Sequence, residues 1–139
     1  MIKNRERTRV LLLRAANMPH AGYGFPKGKR DAEETPAEAA LRETWEETGI
    51  RLSPRDLRES SRVTVQKFES RHTYYIVHVD EAGVLLRLPA KEVGDCRWFD
   101  IAEVACGELY TVGVERTKLA RAVVKVFGNR KARDILGLP

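Results

Sequence analysis

Val10, Leu11, Leu12 and Leu13 form a short apolar run between Arg9 and Arg14, the pattern of a buried strand. The segment before it, MIKNRERT, is a poor strand candidate. Residues 15–23 read as a loop, and residues 24–29 (Gly-Phe-Pro-Lys-Gly-Lys) as a short extended segment ending in a turn. The best-marked element is a helix over 36–48. Thr35 and Glu38 stand at capping-box spacing, Pro36 takes the first helical position and Gly49 supplies the stop. Its inward stripe is Ala37, Ala40, Leu41, Thr44 and Thr48, small enough for close packing on a sheet. Residues 61–68 and 73–80 are strand candidates. The second is apolar on both faces, with Tyr75, Val77 and Val79 on one and Tyr74 and Ile76 on the other, so it reads as a central strand. Residues 84–86 and 96–99 are further strand candidates. A second amphipathic helix is predicted over 115–127, burying Leu119, Ala122, Val123 and Val126. The basic tail, 129–139, is expected to fray. Strands and helices alternate without a clean β-α-β repeat. The expected fold is therefore α/β (α+β), a mixed sheet with helices on both faces.

Composition adds bounds rather than identity. A chain of 139 residues is expected to form a single domain, 1–139, with a real core. A net charge of +5 and a pI near 9.4 favour anionic partners without singling out nucleic acid. No apolar run reaches membrane-spanning length, and the first residues lack a secretory h-region. Cys96 and Cys106 form no ligand pair at zinc-finger spacing. Reduced thiols in a cytoplasmic protein are the expectation.

The candidate chemistry sits on the helix. Glu43, Glu46 and Glu47 are spaced i, i+3, i+4, which puts three carboxylates on one helical face. Like charges at that spacing repel. Something positive is expected on them, and hard oxygen donors in a tight group suit Mg²⁺ or Mn²⁺. The neighbouring loop, with Lys27, Lys29 and Arg30, is basic and able to receive phosphate.

Gly28, Glu34, Arg42, Glu43, Glu46, Glu47, Gly49 and Ile50 fall in the register G-x5-E-x7-R-E-U-x-E-E-x-G-U, where U is usually aliphatic. The stretch 28–50 thus resembles the Nudix box, and a chance match is on the order of 10⁻⁸ per starting position. Two departures are minor: Thr44 stands at an aliphatic position, and Ala32-Glu33 replaces a common Pro-Gly. The resemblance implies an α/β/α sandwich. It also implies hydrolysis of a nucleoside diphosphate linked to another group, with Mg²⁺ or Mn²⁺ and an attacking water. By the same resemblance Glu43, Glu46, Glu47 and the Lys27 carbonyl are the metal ligands, and Arg42 holds Glu34 or a helix glutamate in place. Otherwise Arg42 is a surface i, i+4 partner of Glu38 and Glu46. The proton acceptor is Glu47 or Glu43 from the box, or Glu92, which matches a loop glutamate of some relatives. Glu92 is equally readable as a solvated loop charge.

Lys27, Lys29 and Arg30 are expected to bind phosphate, with a solvated basic loop as the competing reading. Tyr74 and Tyr75 are candidates to stack a base. At least one must be core, because successive strand residues face opposite ways. His20 and His72 are expected on surface loops, His78 in a strand, Trp45 in packing, and Asp80 and Glu81 in a turn. Within the family, Gly-Phe-Pro-Lys-Gly-Lys looks like the dinucleoside tetraphosphate hydrolases and the mRNA-decapping enzymes. The chain length favours the first, with diadenosine tetraphosphate as the expected substrate. Capped RNA, an inositol pyrophosphate and a non-catalytic nucleotide-binding module are the alternatives. The protein is expected to be a monomer or a homodimer.

Overall fold

A computed structural model describes residues 1–17, 23–67, 69–84, 86 and 92–101. The helix expected over 115–127, the tail 129–139, His20, Cys106 and the side chain of His72 lie outside the described residues.

Among the described residues, five strands form one sheet: β1 (Ile2–Asn4), β2 (Arg9–Ala15), β3 (Ser61–Lys67), β4 (Ser70–Val79) and β5 (Val93–Asp100). Their order is β3-β4-β1-β2-β5. β1 runs parallel to β4, and the other pairings are antiparallel, so the sheet is mixed as expected. The segment read as a poor strand proves to be its middle. Ile2 faces Leu11 on one side and Val77 on the other. Three residues suffice because tertiary pairing on both edges overrides a weak local pattern. The strand expected at 73–80 is interior but stands beside the middle. Val84 and Leu86 are in no strand; a 3-10 turn at Glu81–Gly83 precedes them, capped by Asp80.

Helix α1 (Pro36–Thr48) forms as its sequence dictates. Glu38 N–H donates to the Thr35 hydroxyl at 3.2 Å, and Thr35 N–H donates to the Glu38 carboxylate at 2.7 Å. Gly49 closes the helix at φ 76°, a left-handed conformation costly for a residue with Cβ. The inward threonines carry no unmet polar cost. Thr48 hydroxyl donates to the Thr44 carbonyl at 2.6 Å and accepts from Ile50 N–H at 3.0 Å. Ala39 joins Thr44 and Thr48 among the buried positions, which the expected stripe omitted. Helix α2 (Pro54–Arg58) was not foreseen, although Ser53 and Asp56 build a second capping box around Pro54.

Both helices pack on one sheet face. Ile2, Leu11, Leu13, Val77, Val93 and Cys96 meet Ile50 and Leu57 there, with Ala37, Ala40 and Leu41 of α1 laid against them. Val10, Leu12 and Ile76 alternate to the opposite face and are buried too. On that side Tyr23 meets Phe99 edge-on, with ring centroids 4.9 Å apart.

A polar knot pins one end of the sheet. The buried Asn4 side chain accepts from Thr8 N–H at 2.9 Å and Arg9 N–H at 2.8 Å. It donates to the Thr8 hydroxyl at 3.1 Å and to Glu81 at 3.3 Å. Arg9 completes the knot through an ion pair with Glu81. Asn4→Ala strands two main-chain donors of the β1–β2 turn, so we expect a loss of about 2–3 kcal/mol in urea unfolding. Secondary structure of the folded variant should be unchanged by circular dichroism.

Candidate active site

The site is built on three mounts: the segment 24–29, helix α1 and the start of β5. Gly24 fixes the first to the sheet. It exchanges both main-chain hydrogen bonds with Leu13, at 2.8 and 2.9 Å. From there the chain runs as a strap through Phe25, buried against Tyr74, to Lys27 and Gly28. Lys27 N–H donates to the Glu47 carboxylate at 3.0 Å, which ties strap to helix.

Gly28 lies directly on Glu43. A Cβ at position 28 would stand 1.8 Å from the Glu43 carboxyl carbon. Only a residue without Cβ leaves that carboxylate where it is.

Arg42 joins the glutamates. Its Nε and Nη2 donate to the two Glu34 oxygens at 2.8 and 2.9 Å, a bidentate fork. Nη1 donates to Glu43 at 2.9 Å and to Glu46 at 3.1 Å, and Nη2 also reaches the Lys29 carbonyl at 3.0 Å. The geometry matches the holding of Glu34 and of helix glutamates. Of the competing surface pairs, the one with Glu46 is present, while Glu38 serves the helix cap. The Arg42 fork and then the Asp31 N–H hold the Glu34 carboxyl down at about 2, so Glu34 stays ionised at any ordinary pH.

Glu47 lies outside this hub and its environment is the reverse. Burial pushes its carboxyl up to about 7, the Lys27 N–H bond opposes that, and the like charges of Glu43 and Glu92 add to it. Glu92 is exposed, in the turn before β5, and its carbonyl accepts from Ala16 N–H at 2.9 Å. It is therefore brought within electrostatic reach of the helix carboxylates. A β-bulge prepares this. Arg14 pairs with Asp95 but Ala15 with Val93, so Gly94 is an extra residue in β5. A Cβ on Gly94 would stand 3.1 Å from Ala16 Cα, tight against backbone.

Lys27, Lys29 and Arg30 are exposed around this group. The charge of Lys27 acts on Glu47 and that of Arg30 on Glu34. The two tyrosines part company, as alternation requires. Tyr75 packs into the helix-side core, which is against a stacking role. Tyr74 takes the other face against Phe25, at 6.5 Å between centroids, and stays partly exposed. Trp45 carries the Arg51 guanidinium 4.3 Å above its ring, consistent with packing. Cys96 is a buried free thiol, pushed up to about 11 by burial and then by Asp95 and Glu47.

Among the described residues, no three acidic, histidine or cysteine side chains converge as a finished cation cage. For Glu43 and Glu46, Arg42 already supplies the positive charge that their spacing demanded. The donor set still fits a hard divalent cation. It offers the carboxylates of Glu43, Glu46 and Glu47, and Glu47 is a half-buried acid beside two like charges, which a cation would relieve.

Sequence reasoning missed a cluster beside the strap. Tyr23 was read as loop, yet its ring is buried and its hydroxyl donates to Asp95 and accepts from Arg97. The signal available was an aromatic residue immediately before Gly24.

The profile of the NUDIX domain family matches residues 1–122. The chain is 37% identical over 101 residues to a Mycobacterium tuberculosis protein named "Putative 8-oxo-dGTP diphosphatase 3", covering 69% of this chain and 46% of that protein. It is 32% identical over 101 residues to mRNA-decapping enzyme subunit 2 of Arabidopsis thaliana, covering 71% of this chain and 27% of that protein. The chain thus spans about half the length of these relatives, or less. A C. elegans Ap4A hydrolase in a binary complex has a TM-score of 0.58 at 21% identity, covering 89% of this chain and 95% of that one. That likeness concerns the fold alone.

The Glu47 environment has a measurable consequence without any ligand. Its folded carboxyl sits near 7 and its unfolded one near 4.5, so the folded state binds the proton more tightly. Stability therefore falls as pH rises between these values and is level above them. In chelator, Glu47→Gln should gain in thermal midpoint over the parent as pH climbs from about 4.5 to 7. A constant difference across that window would contradict the assignment.

Proposed function

The chain belongs to the NUDIX domain family, and from that premise we propose that it is a divalent-metal-dependent pyrophosphohydrolase of nucleotide phosphoanhydrides. The observation that carries the reading is the Gly28–Glu43 contact beside the Arg42 hub. A glycine is needed there to seat a carboxylate that the fold then clamps.

Glu43, Glu46, Glu47 and the Lys27 carbonyl would hold the cation. Mg²⁺ or Mn²⁺, when bound, neutralises charge on the phosphate oxygens and acidifies a bound water. Arg42 orients Glu43 and Glu46 and keeps Glu34 ionised as its own counter-charge. Lys27, Lys29 and Arg30 receive the phosphate oxygens. In the hydrolytic step water attacks phosphorus, the anhydride P–O bond breaks, and the leaving phosphate departs with the bonding pair. The proton of the attacking water passes to Glu92, whose charge reaches Glu47; Glu47 is the alternative acceptor. Tyr74 offers the partly exposed ring for a base, and Tyr75 contributes packing instead.

For the substrate we propose a phosphate-rich nucleotide, with a dinucleoside polyphosphate such as diadenosine tetraphosphate first. Three clustered cations on the strap suit a long polyphosphate. The mycobacterial relative favours an oxidised purine nucleoside triphosphate as a second reading, and the decapping relative favours capped RNA as a third.

Incubation with Mg²⁺ and mass analysis of products separates them. Diadenosine tetraphosphate should give ATP and AMP. Release of pyrophosphate from 8-oxo-dGTP, or of the cap nucleoside diphosphate from capped RNA with a 5′-monophosphate left on the RNA, would move the assignment accordingly. Glu46→Gln and Glu47→Gln should each lower turnover at least about a hundredfold with folding intact. Full activity in both would end the hydrolase reading. Gly28→Ala should likewise lose activity while retaining its thermal midpoint, because it displaces the Glu43 carboxylate and little else.

A further inference from the structure

The two acidic halves of the site belong to different mounts and repel one another. Glu47 is carried by α1 and restrained by the strap through Lys27 N–H. Glu92 is carried by the chain entering the bulge of β5, a strand that pairs only with β2 among the described strands. Among the described residues, neither mount is bonded to the other through these carboxylates. Ala16 N–H fixes the Glu92 main chain to β2, which leaves the strap still to be tied to β5.

Tyr23 stands where it can make that tie. It is the residue before the Gly24–Leu13 bridge, four positions ahead of Lys27. Its hydroxyl donates to an Asp95 carboxylate oxygen, and Arg97 Nη2 donates to the same hydroxyl at 2.6 Å. Arg97 Nε also pairs with that carboxylate oxygen at 3.0 Å, which closes a three-membered ring of polar contacts. The Arg14 and Arg97 guanidinium carbons each lie 5.2 Å from the Tyr23 ring centroid. Asp95 directly follows the bulge residue Gly94, and Glu92 precedes it by two. A phenylalanine would fill the buried space of the Tyr23 ring equally well. Among the described residues, the hydrogen-bond partners of the hydroxyl, Asp95 and Arg97, both lie on β5.

We propose that Tyr23, Asp95 and Arg97 form a clasp that holds the strap against the bulge and thereby fixes the separation of Glu47 and Glu92. They are positioning residues for the divalent cation, acting through those two glutamates, and the proposal rests on the hydrolase reading above.

The test is Mn²⁺ binding by isothermal titration calorimetry, alongside urea unfolding in chelator. Tyr23→Phe should weaken Mn²⁺ binding about tenfold, the scale at which partners of metal ligands act. Asp95→Ala, which removes the acceptor from the exposed side, should do the same and keeps the test decisive if Tyr23→Phe does not fold. Asp95→Asn retains an acceptor and should recover most of the affinity. In the Glu92→Gln background, which removes the carboxylate that the clasp positions, Tyr23→Phe should cost much less. Parental Mn²⁺ affinity in Tyr23→Phe and Asp95→Ala overturns the clasp while leaving the hydrolase reading intact. So does an equal loss with and without Glu92→Gln. A parent chain that binds no Mn²⁺ and turns over no nucleotide overturns both.

Discussion

Arg42 donates to both Glu34 oxygens, to Glu43, to Glu46 and to the Lys29 carbonyl, and the acidic face of α1 is tenable because of it. Glu43 and Glu46 are one helical turn apart and would otherwise repel across it. A lysine could neutralise one of them but lacks the planar fork that reaches several acceptors in fixed directions. The same guanidinium binds the loop between Gly28 and Pro36 to the helix, since Glu34 and Lys29 lie on that loop. Charge compensation and loop placement are thus one set of contacts, and the position of Gly28 over Glu43 follows from them.

Glu47 is left out of this arrangement, and that exclusion gives the site its chemistry. It is half-buried, held by a neutral amide rather than a cation, and flanked by Glu43 and Glu92. An acid in such surroundings is poised for whatever positive charge arrives. Cys96, behind it on the helix-side face, responds in kind and remains a thiol. Lys27 holds Glu47 through its amide and acts on it by charge through its exposed side chain, which still faces anions approaching from water.

Much of this was legible before any coordinates. Helix α1 could be bounded to the residue because Thr35, Pro36, Glu38 and Gly49 act locally, within one turn of the element they delimit. The acidic face followed from helical period and the Arg42–Glu46 pair from i, i+4 spacing, whereas the Arg42–Glu34 contact was implied by the family resemblance. The β1 strand was not legible, because three residues gain their strand character from partners far along the chain, Val10 and Leu11 on one side and Val77 to Val79 on the other. The Tyr23–Asp95 contact failed to appear for the same reason, joining residues 72 positions apart. The bulge at Gly94 needs knowledge of register, which no single strand contains. Tyr74 and Tyr75 could be separated by alternation but not assigned to their faces until the sheet was ordered.

The sheet divides its tasks between its two ends. At the end where β1 finishes and β2 begins, Asn4, Thr8, Arg9 and Glu81 satisfy one another, and Ile101 N–H closes on the Thr8 carbonyl at 2.8 Å. Most polar groups there find hydrogen-bond partners, Arg9 Nε being the exception among the described residues. At the opposite end β2 runs out at Ala15, β5 enters through a bulge, and the strap presses a glycine against a carboxylate. Like charges are gathered there instead of dispersed. Local inconsistency of this kind is costly, and a chain retains it where function requires it and the remaining structure can support it. The other end supplies that support: it lets a small domain carry an acidic cluster, a bulged register and an exposed cationic strap in one place without loosening the sheet that mounts them.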